Sequence, residues 1–357
     1  MKKIIFIAPM NMPIPSEKGA IEEIIWQTAK RLKRKYDVQI YNPLANSIIK
    51  KIINGISLKN SGIIHSHNFY TSIGLFIRRF NHLLTIHYPP WISNSGMKRR
   101  IRIATLNIFN RKGITLISPS IYIAKWLIKN GFNRVKYIPN GVDTEIFSYN
   151  KRNEELREKL LDGKEILIVS LGRICKEKNQ LILLRTIKHI VEKHKNIKLI
   201  LLGPTAGFFG KLKGDYTYYL LLKQYVEKHN LKQYVQFLGD IPLKRDVARI
   251  LASSDIYVHP SKVEAAAPLA ILEAMASGLP ILAFNLPFYS GYLFDNINAL
   301  LVPLDDLNKF KEYLLILIED EHFRKKLSLN AIKFTNEKFS WDVIVEKYYL
   351  KLYNTLM

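Results

Sequence analysis

The chain has 357 residues, of which 48% are hydrophobic, 24% are charged and one is a cysteine. This length exceeds a single compact α/β unit and predicts two, and the apolar fraction is sufficient for two hydrophobic cores. No segment approaches the ~18 uninterrupted apolar residues of a membrane-spanning helix. The single cysteine, Cys175, excludes a disulfide framework and a cysteine-built metal site; it fits a reducing compartment and is interpreted as incidental.

The positive charge is unevenly distributed. The formal net charge is +24, and residues 1–150 hold 23 Lys and Arg against 6 Asp and Glu, which places +17 in that half. No acidic side chain occurs between Asp37 and Asp143. A positive electrostatic field concentrated in one half of the chain attracts polyanions such as nucleic acid, anionic lipid headgroups or a diphosphate-bearing acceptor.

In the first half, apolar strand-like runs alternate with helical stretches, as βαβ units require. The apolar run near the N-terminus is too short for the core of a secretory signal and is predicted to be a buried strand. The predicted strands are Ile4–Ala8, Val38–Tyr41, Ile63–His65, Leu83–His87, Leu116–Pro119 and Val135–Ile138. The predicted helices are Ala20–Lys35, Thr71–Phe80, Met97–Asn110 and Ile121–Asn130.

A polar, charged run that includes a predicted linker, 151–163, separates this series from a second one. The predicted strands of the second series are Glu165–Leu171, Lys198–Gly203, Val235–Leu238, Ile256–His259, Pro280–Ala283 and Ala299–Val302. Its predicted helices are Asn179–Lys195, Tyr218–Asn230, Leu243–Ser253, Pro268–Gly278, Leu307–Glu319, Glu321–Glu337 and a last amphipathic helix, Trp341–Leu356. The pattern predicts an α/β protein with two doubly wound parallel sheets.

The most specific segment is Pro260–Glu264, continuing into Pro268–Pro280. A strand ends just before it, one carboxylate lies in the loop, and a second carboxylate, Glu273, lies on the following helix. The N-terminus of that helix presents free N–H groups and a positive dipole end, which suit a phosphate. Glu273 can accept two hydrogen bonds from the vicinal hydroxyls of a ribose. The alternative is a pair of surface carboxylates that bind no ligand.

A second segment, Ser170–Asn179, runs from a strand through a turn at Gly172 to two basic residues. Arg173 offers forked donors and Lys178 offers a mobile point charge, and this combination suits a diphosphate. A glycine turn flanked by basic residues is common by itself, so the prediction depends on both segments together.

These segments, with Pro139-Asn140-Gly141-Val142-Asp143, Phe147 and Leu279-Pro280, resemble the retaining glycosyltransferases of family 4. The resemblance covers nearly the whole chain and is strongest over 135–285. The opening, Ala8-Pro9 followed by Pro13-Ile14-Pro15 and Gly19-Ala20-Ile21-Glu22, is similar to that of bacterial spore-coat and cell-surface polysaccharide transferases.

The resemblance implies a GT-B fold, with two Rossmann-like domains facing a cleft. The first domain, 1–150, would serve the acceptor, with helix 341–357 packing back on it, and the second, 164–340, would bind the nucleotide sugar. The implied reaction moves a sugar from a UDP- or GDP-sugar to a glycan or lipid-linked acceptor with retention, in cell-surface polysaccharide or glycoconjugate assembly. No permanently bound cofactor and no nucleic-acid partner are expected. The implied location is cytoplasmic, peripheral to the inner face of the cell membrane.

The resemblance also implies roles for individual residues. Arg173 and Lys178 would neutralise the donor diphosphate, Glu273 would bind the ribose, and Glu264 would contact hydroxyls of the transferred sugar. His87 matches the family's active-site histidine near the reacting sugar. The remaining implied donor-site residues are Gly19, Ala20, Gly172, Asp240, Ile241, Leu269 and Ala270. Gly19 and Ala20 would let the backbone approach a phosphate or the acceptor. Asp240 and Ile241 would lie near the nucleotide base. Leu269 and Ala270 would offer backbone amides to the phosphates.

Three departures from the family pattern bear mainly on sugar choice. Eight residues separate Glu264 from Glu273 where seven are usual, so we expect a displaced carboxylate or a bulged turn at 265–267. The family's double glycine is Gly19-Ala20 here. Residues 285–289 replace the usual Gly-Gly-x-x-Glu. Because the chain has no Asp-x-Asp motif, no divalent metal requirement is expected.

The segment Gly96–Lys112 has the pattern of a basic amphipathic helix, with Met97, Ile101, Ala104 and Ile108 on one face. Such a helix can lie in an anionic membrane interface, or it can be an ordinary helix whose apolar face meets the core. The apolar and basic residues at 48–53 add some weight to the membrane interpretation.

Other interpretations stay open. His65 and His67 end another strand, where a structural or acceptor-side role is favoured over a metal site. Charge alone would also fit a non-enzymatic nucleic-acid-binding protein, although no recognisable nucleic-acid-binding module is present. A GT-B sugar-nucleotide epimerase or phosphorylase is a further alternative.

Overall fold

The computed structural model describes residues 2–15, 19–59, 62–91, 96–205, 215–264 and 269–356. It divides into two compact units. The first consists of Met1–Gly141 with Trp341–Met357, and the second of Val142–Glu264 with Pro268–Ser340. The main chain therefore enters the second unit at residue 142, earlier than the predicted boundary at 150.

The first unit is built on a six-stranded parallel sheet, counted over the described residues. Its strands are β1 (Lys3–Ile7), β2 (Asp37–Tyr41), β3 (Ile63–Ser66), β4 (His82–Thr85), β5 (Thr115–Ser118) and β6 (Val135–Tyr137). The connecting helices are α1 (Ala20–Leu32), α2 (Ile48–Ser57), α3 (Phe69–Ile77), α4 (Gly96–Arg111) and α5 (Ile121–Lys129). The strand order is β2-β1-β3-β4-β5-β6, so the winding direction reverses between β1 and β3. In open α/β sheets, ligands bind at the carboxyl ends of the strands at such a reversal.

The C-terminal segment packs against the first unit. It is helical from Trp341 to Thr355, with a π-helical stretch at Val345–Leu350. The hydroxyl of Tyr353 lies 2.6 Å from Nδ1 of His65 at the end of β3, and both side chains are fully buried. The hydroxyl of Tyr36 donates to Oδ1 of Asn354 over 2.7 Å.

The second unit repeats this plan with a second six-stranded parallel sheet among the described residues. Its strands are β7 (Ile166–Leu171), β8 (Ile197–Leu202), β9 (Val235–Gly239), β10 (Ile256–His259), β11 (Ile281–Phe284) and β12 (Ala299–Val302). Its helices are α6 (Glu154–Leu161), α7 (Gln180–Ile190), α8 (Tyr216–Lys228), α9 (Lys244–Ala252), α10 (Leu269–Ala276), α11 (Leu307–Glu319) and α12 (Glu321–Lys338). The order is β12-β11-β10-β7-β8-β9, with the reversal between β7 and β10.

These two sheets confirm the predicted fold class of two Rossmann-like doubly wound parallel sheets. The inner strands of both sheets are largely apolar and buried, as parallel sheets covered by helices require, whereas the edge strands β2, β6 and β9 are partly exposed. None of the helices in the described ranges is long and apolar enough to cross a lipid bilayer.

Helix α6 occupies most of the segment 151–163, which the sequence predicted as a linker. The side chain of Asn153 caps its N-terminus, and its last two residues are buried. Arg157 forms an ion pair with Asp255 of the second unit, at 2.8 Å. The charged run is thus one side of an amphipathic helix, because its apolar residues are spaced to meet the core.

The contact of Tyr353 with His65 predicts a stability effect. Tyr353→Phe leaves a buried ring nitrogen without its partner, and this should lower the free energy of unfolding of the first unit by about 1–3 kcal/mol. Chemical denaturation followed by tyrosine and tryptophan fluorescence measures the change. The matched control is Tyr36→Phe, which should lose less because its partner Asn354 is exposed. Equal losses in the two variants would contradict the prediction.

Candidate functional site

The two segments singled out in the sequence follow β7 and β10, which are neighbouring parallel strands in register at Val169 and Tyr257. Their carboxyl ends therefore lie at the same edge of the sheet, on either side of the reversal. The loops that follow are joined directly, because the backbone N–H of Lys262 donates to the carbonyl of Glu177 over 2.9 Å. The hydroxyl of Ser261 donates to the same carbonyl over 3.3 Å.

The turn at Gly172 depends on a second glycine. The backbone N–H of Gly172 donates to the carbonyl of Leu202 over 2.8 Å, and this hydrogen bond holds the turn against the end of β8. Gly203 has a φ of +141°, and a Cβ there would overlap the carbonyl oxygen of Gly172. Only glycine satisfies both the backbone angle and the close approach.

Glu264 is a buried, paired carboxylate at this edge, with only 7% of its surface exposed. Its Oε1 accepts a hydrogen bond from Nζ of Lys178 over 2.6 Å and lies 2.8 Å from Nε2 of His259. Burial raises the pKa of the Glu264 carboxyl, but the His259 hydrogen bond and the Lys178 charge outweigh burial and lower the pKa to about 2. Glu264 is therefore ionised at every physiological pH.

Arg173 and Lys178 both come from the loop after β7. Lys178 is the last residue of a 3-10 turn, Lys176–Lys178, and it is engaged with Glu264. The half-buried Arg173 is held at its backbone, where its carbonyl accepts a hydrogen bond from Nε2 of Gln180 over 2.9 Å. The loop after β7 thus carries two cations, of which Lys178 is paired with Glu264.

Glu273 lies on α10 and is half-buried. Burial raises the pKa of the Tyr257 hydroxyl well above its usual value, and the charges of Glu273 and Glu264 add to this effect. Glu273 therefore lies close enough to the end of β10 to act electrostatically on it. Leu269 and Ala270 open the described part of α10 and are half-buried.

Two predictions fall on residues outside the described ranges. The displaced or bulged turn at 265–267 lies there, as does the helix start at Pro268. The remaining predicted pair, Asp240 and Ile241, follows β9 at the same carboxyl edge, two strands away from β7. Asp240 is exposed and Ile241 is half-buried.

Sequence reasoning missed three side chains behind Glu264. His259 is the last residue of β10, and its Nδ1 lies 3.1 Å from the hydroxyl of Tyr257 on the same face of the strand. The ring of Tyr289 lies 6.1 Å from that of His259, and its buried hydroxyl has no hydrogen-bond partner among the described residues. The signal available in the sequence was His259 itself, a polar residue at the end of a buried apolar strand.

In the first unit, His87 follows β4 and lies beside the two histidines at the end of β3. Its Nε2 is 2.9 Å from Nδ1 of His67, whose ring stacks on that of His65 at 4.6 Å. Burial lowers the pKa of His65 and His87 to about 3, and it lowers the pKa of His67 well below its usual value. These rings are therefore neutral at physiological pH, and they can donate or accept hydrogen bonds but cannot attract a phosphate by charge. No three of the described His, Cys, Asp and Glu side chains are placed to hold a metal ion.

Gly19 is the N-cap of α1 and Ala20 is its first residue. A Cβ on Gly19 would overlap the carboxyl group of Glu22, so this carboxyl packs against the loop. Burial raises the pKa of Glu22. A buried carboxyl group suits a hydroxyl better than a phosphate, which favours the acceptor interpretation of this loop over the phosphate interpretation.

The site residues thus fall into two groups. Gly19, Ala20 and His87 belong to the first unit, and all other predicted residues belong to the second. Within the second unit the structure brings together the loops that carry Arg173, Lys178 and Glu264.

Comparisons with known proteins match both halves of the chain. The family model described as glycosyl transferases group 1 matches residues 151–334, and the model described as glycosyltransferase family 4 matches residues 14–146. The family match favours an enzyme over the non-enzymatic nucleic-acid-binding alternative.

Two relatives and one solved structure illustrate the similarity. The UDP-Gal:alpha-D-GlcNAc-diphosphoundecaprenol alpha-1,3-galactosyltransferase of Escherichia coli is 30% identical over 192 residues, which cover 53% of this chain and 46% of that enzyme. Spore coat protein SA of Bacillus subtilis is 22% identical over 381 residues, covering 96% of this chain and 97% of that protein. The crystal structure of Anabaena HepE in complex with UDP-glucose shares the fold, with a TM-score of 0.79 at 19% identity over 99% of both chains.

Because the first family model covers just over half of the chain, this protein belongs to the glycosyl transferases group 1 family and is a glycosyltransferase of GT-B fold.

Proposed function

We propose that this glycosyltransferase moves a sugar from a nucleoside-diphosphate sugar to a glycan or lipid-linked acceptor with retention of configuration. The observation that carries the proposal is the pairing of Lys178, from the loop that also carries Arg173, with buried Glu264 at the reversal of the second sheet. Support for the donor class comes from HepE, whose structure contains UDP-glucose. Support for a lipid-linked acceptor in glycoconjugate assembly comes from the name of the Escherichia coli relative.

The chemistry follows from the charges at this edge. When the bond between the sugar and the diphosphate breaks, negative charge grows on the diphosphate and positive charge grows on the sugar ring. Arg173 and Lys178 stabilise the former, and electrostatic stabilisation of this kind is often the largest contribution to catalysis. Glu273 binds the ribose hydroxyls and ionised Glu264 accepts hydrogen bonds from the sugar. The acceptor hydroxyl forms its bond to the anomeric carbon on the face that the diphosphate leaves, and its proton passes to the departing diphosphate oxygen.

We propose that Lys178 changes partner when the donor binds. In the structure its ammonium is bound to Oε1 of Glu264, and a bound diphosphate would compete for that charge. The donor therefore draws Lys178 toward the phosphates and leaves Glu264 available to the sugar hydroxyls. The proposed roles of His87, Gly19 and Ala20 in the first unit remain predictions from the family resemblance.

Nucleotide binding tests the donor site. UDP or GDP at about 100 times its Kd should stabilise the wild type by about 2.7 kcal/mol in a thermal-shift assay. Arg173→Ala and Glu273→Ala should each weaken binding about 10- to 100-fold, because each removes hydrogen bonds to a charged group worth about 1.5–3 kcal/mol. The matched control is Lys176→Ala, an exposed cation of the same turn. A wild type that neither nucleotide stabilises would contradict the proposal. So would Arg173→Ala and Glu273→Ala variants that both bind the nucleotide with wild-type affinity.

The surface of α4 bears on the membrane question. Met97, Ile101 and Ile108 are 73%, 59% and 49% exposed, whereas Leu106 and Phe109 on the opposite face are buried. The face of α4 that carries Met97, Ile101 and Ile108 therefore does not meet the core, and the interpretation that it does is wrong. Basic residues at 98–100 beside this face are exposed as well.

Helix α2 offers a similar surface. Ile48, Ile49 and Ile53 are about half exposed or more. Helix α3 lies between α2 and α4, since Phe76 on α3 packs against Phe109 on α4 at 5.3 Å, and α2 contacts α3 through closely spaced glycines. We propose that this face of the first unit lies on an anionic lipid surface, because exposed apolar side chains ringed by cations suit such an interface. The proposed location is the inner face of the cell membrane.

Vesicle binding tests this surface. The protein should bind phosphatidylglycerol vesicles and not phosphatidylcholine vesicles, and added salt should weaken binding by screening the charges. Ile101→Ser should reduce partitioning about 10- to 100-fold, because burying a large aliphatic side chain contributes about 1.5–3 kcal/mol. The matched control is Leu329→Ser, which removes a 67% exposed leucine from the second unit. Binding that is insensitive to both salt and Ile101→Ser would contradict the proposal.

A further inference from the structure

His259 and Tyr257 form a buried hydrogen-bonded pair behind Glu264. His259 is 2% exposed and Tyr257 is fully buried, so neither ring is placed as a surface contact for a ligand. His259 links the two neighbours, with Nε2 at 2.8 Å from Oε1 of Glu264 and Nδ1 at 3.1 Å from the Tyr257 hydroxyl. The proposed reaction assigns this pair no role.

The geometry selects one tautomer of His259. A hydrogen bond to an ionised carboxylate requires a proton on Nε2, because a lone pair there would face a negative oxygen. Burial lowers the pKa of His259, although its hydrogen bond to Glu264 opposes this, so the ring is neutral and Nδ1 carries a lone pair. The Tyr257 hydroxyl has one proton and two acceptors within reach, the Nδ1 lone pair at 3.1 Å and the carbonyl oxygen of Leu171 at 3.2 Å. The neutral Nε2–H tautomer requires that this proton point to Nδ1.

This hydrogen bond becomes more important once a donor binds. Two described side chains hydrogen-bond to Glu264, and both bond to Oε1. When the diphosphate draws Lys178 away, His259 is the one of these two partners that stays. A buried carboxylate that loses its hydrogen bonds tends to protonate or to reorient.

We propose that His259 is a positioning residue that keeps Glu264 ionised and oriented toward the sugar hydroxyls while Lys178 binds the donor diphosphate. This inference rests on the proposed function of the same site. Tyr257 holds the required tautomer of His259 through Nδ1.

Other groups that face Glu264 make this support necessary. Lys178 comes from the loop after β7, while Tyr257 and His259 come from β10. Tyr289 comes from the turn after β11, and Glu273 on α10 acts on Tyr257. Lys178 is the cation that pairs with Glu264 in this structure, so its exchange removes a favourable charge and leaves the neutral His259 donor.

Two substitutions separate positioning from simple packing. His259→Gln can place an amide N–H near the position of Nε2, whereas His259→Leu keeps the bulk and removes the donor. The activity to measure is hydrolysis of a UDP- or GDP-sugar without acceptor, as a function of pH, together with the Kd of the matching nucleoside diphosphate.

For His259→Leu we expect kcat to fall about 10- to 100-fold, as for loss of a hydrogen bond to a charged group. The acid limb of its pH profile should move upward by about one pH unit or more, because Glu264 then protonates more readily. The Kd for the nucleoside diphosphate should stay within about twofold, since no phosphate contact is lost. His259→Gln should recover most of kcat and the wild-type acid limb. A His259→Leu variant with wild-type kcat and pH profile would overturn the proposal, as would a His259→Gln variant equally impaired.

A third measurement is independent of activity. In the wild type, 15N chemical shifts of the labelled histidines should show His259 as the neutral Nε2–H tautomer, assigned by its loss in His259→Gln. The Nδ1–H tautomer would overturn the proposal even if both variants misfold. A wild type that has this tautomer but neither binds nucleotides nor cleaves donors would refute the proposed function and leave the hydrogen-bond geometry intact.

Discussion

The buried charge of Glu264 is the constraint on which the candidate site depends. An ionised carboxylate removed from water is stable only when it is paired and hydrogen-bonded. Here one partner, Lys178, comes from the loop after β7, and the other, His259, is the last residue of β10, just before the loop that carries Glu264. The hydrogen bond between the backbones of Lys262 and Glu177 keeps those loops together. The charge requirement and the loop geometry therefore support each other.

Sheet topology explains why these loops can meet. Strands β7 and β10 are far apart in sequence but adjacent in the sheet, because the winding direction reverses between them. At such a reversal the connections leave in opposite directions, and a crevice remains at the carboxyl ends of the strands. The close approach of Gly203 to Gly172 then fixes the turn that immediately precedes Arg173.

The two units use titratable groups differently. In the second unit a carboxylate is kept charged by its neighbours, whereas in the first unit burial keeps His65, His67 and His87 neutral. A neutral imidazole suits hydrogen bonding to hydroxyl groups, and a cation with a carboxylate suits a charged diphosphate and a sugar. Part of the positive charge of the first half, at residues 98–100, is displayed at the surface beside the exposed apolar face of α4.

The sequence by itself determined the two parallel sheets, the loops that carry Arg173, Lys178 and Glu264, and the alternation of strands and helices except for α2 and α6, which it did not predict. These features depend on local apolar periodicity and on glycine and proline signals, which are readable from neighbouring residues. Only the tertiary structure decided that Lys178 pairs with Glu264, 86 residues away, and that His259 supports this carboxylate. It also showed that α6 belongs to the second unit and that the Met97 face of α4 points outward. These outcomes depend on contacts between residues that are distant in the sequence. The periodicity of apolar residues shows that a helix has an apolar face, but it does not show what that face contacts.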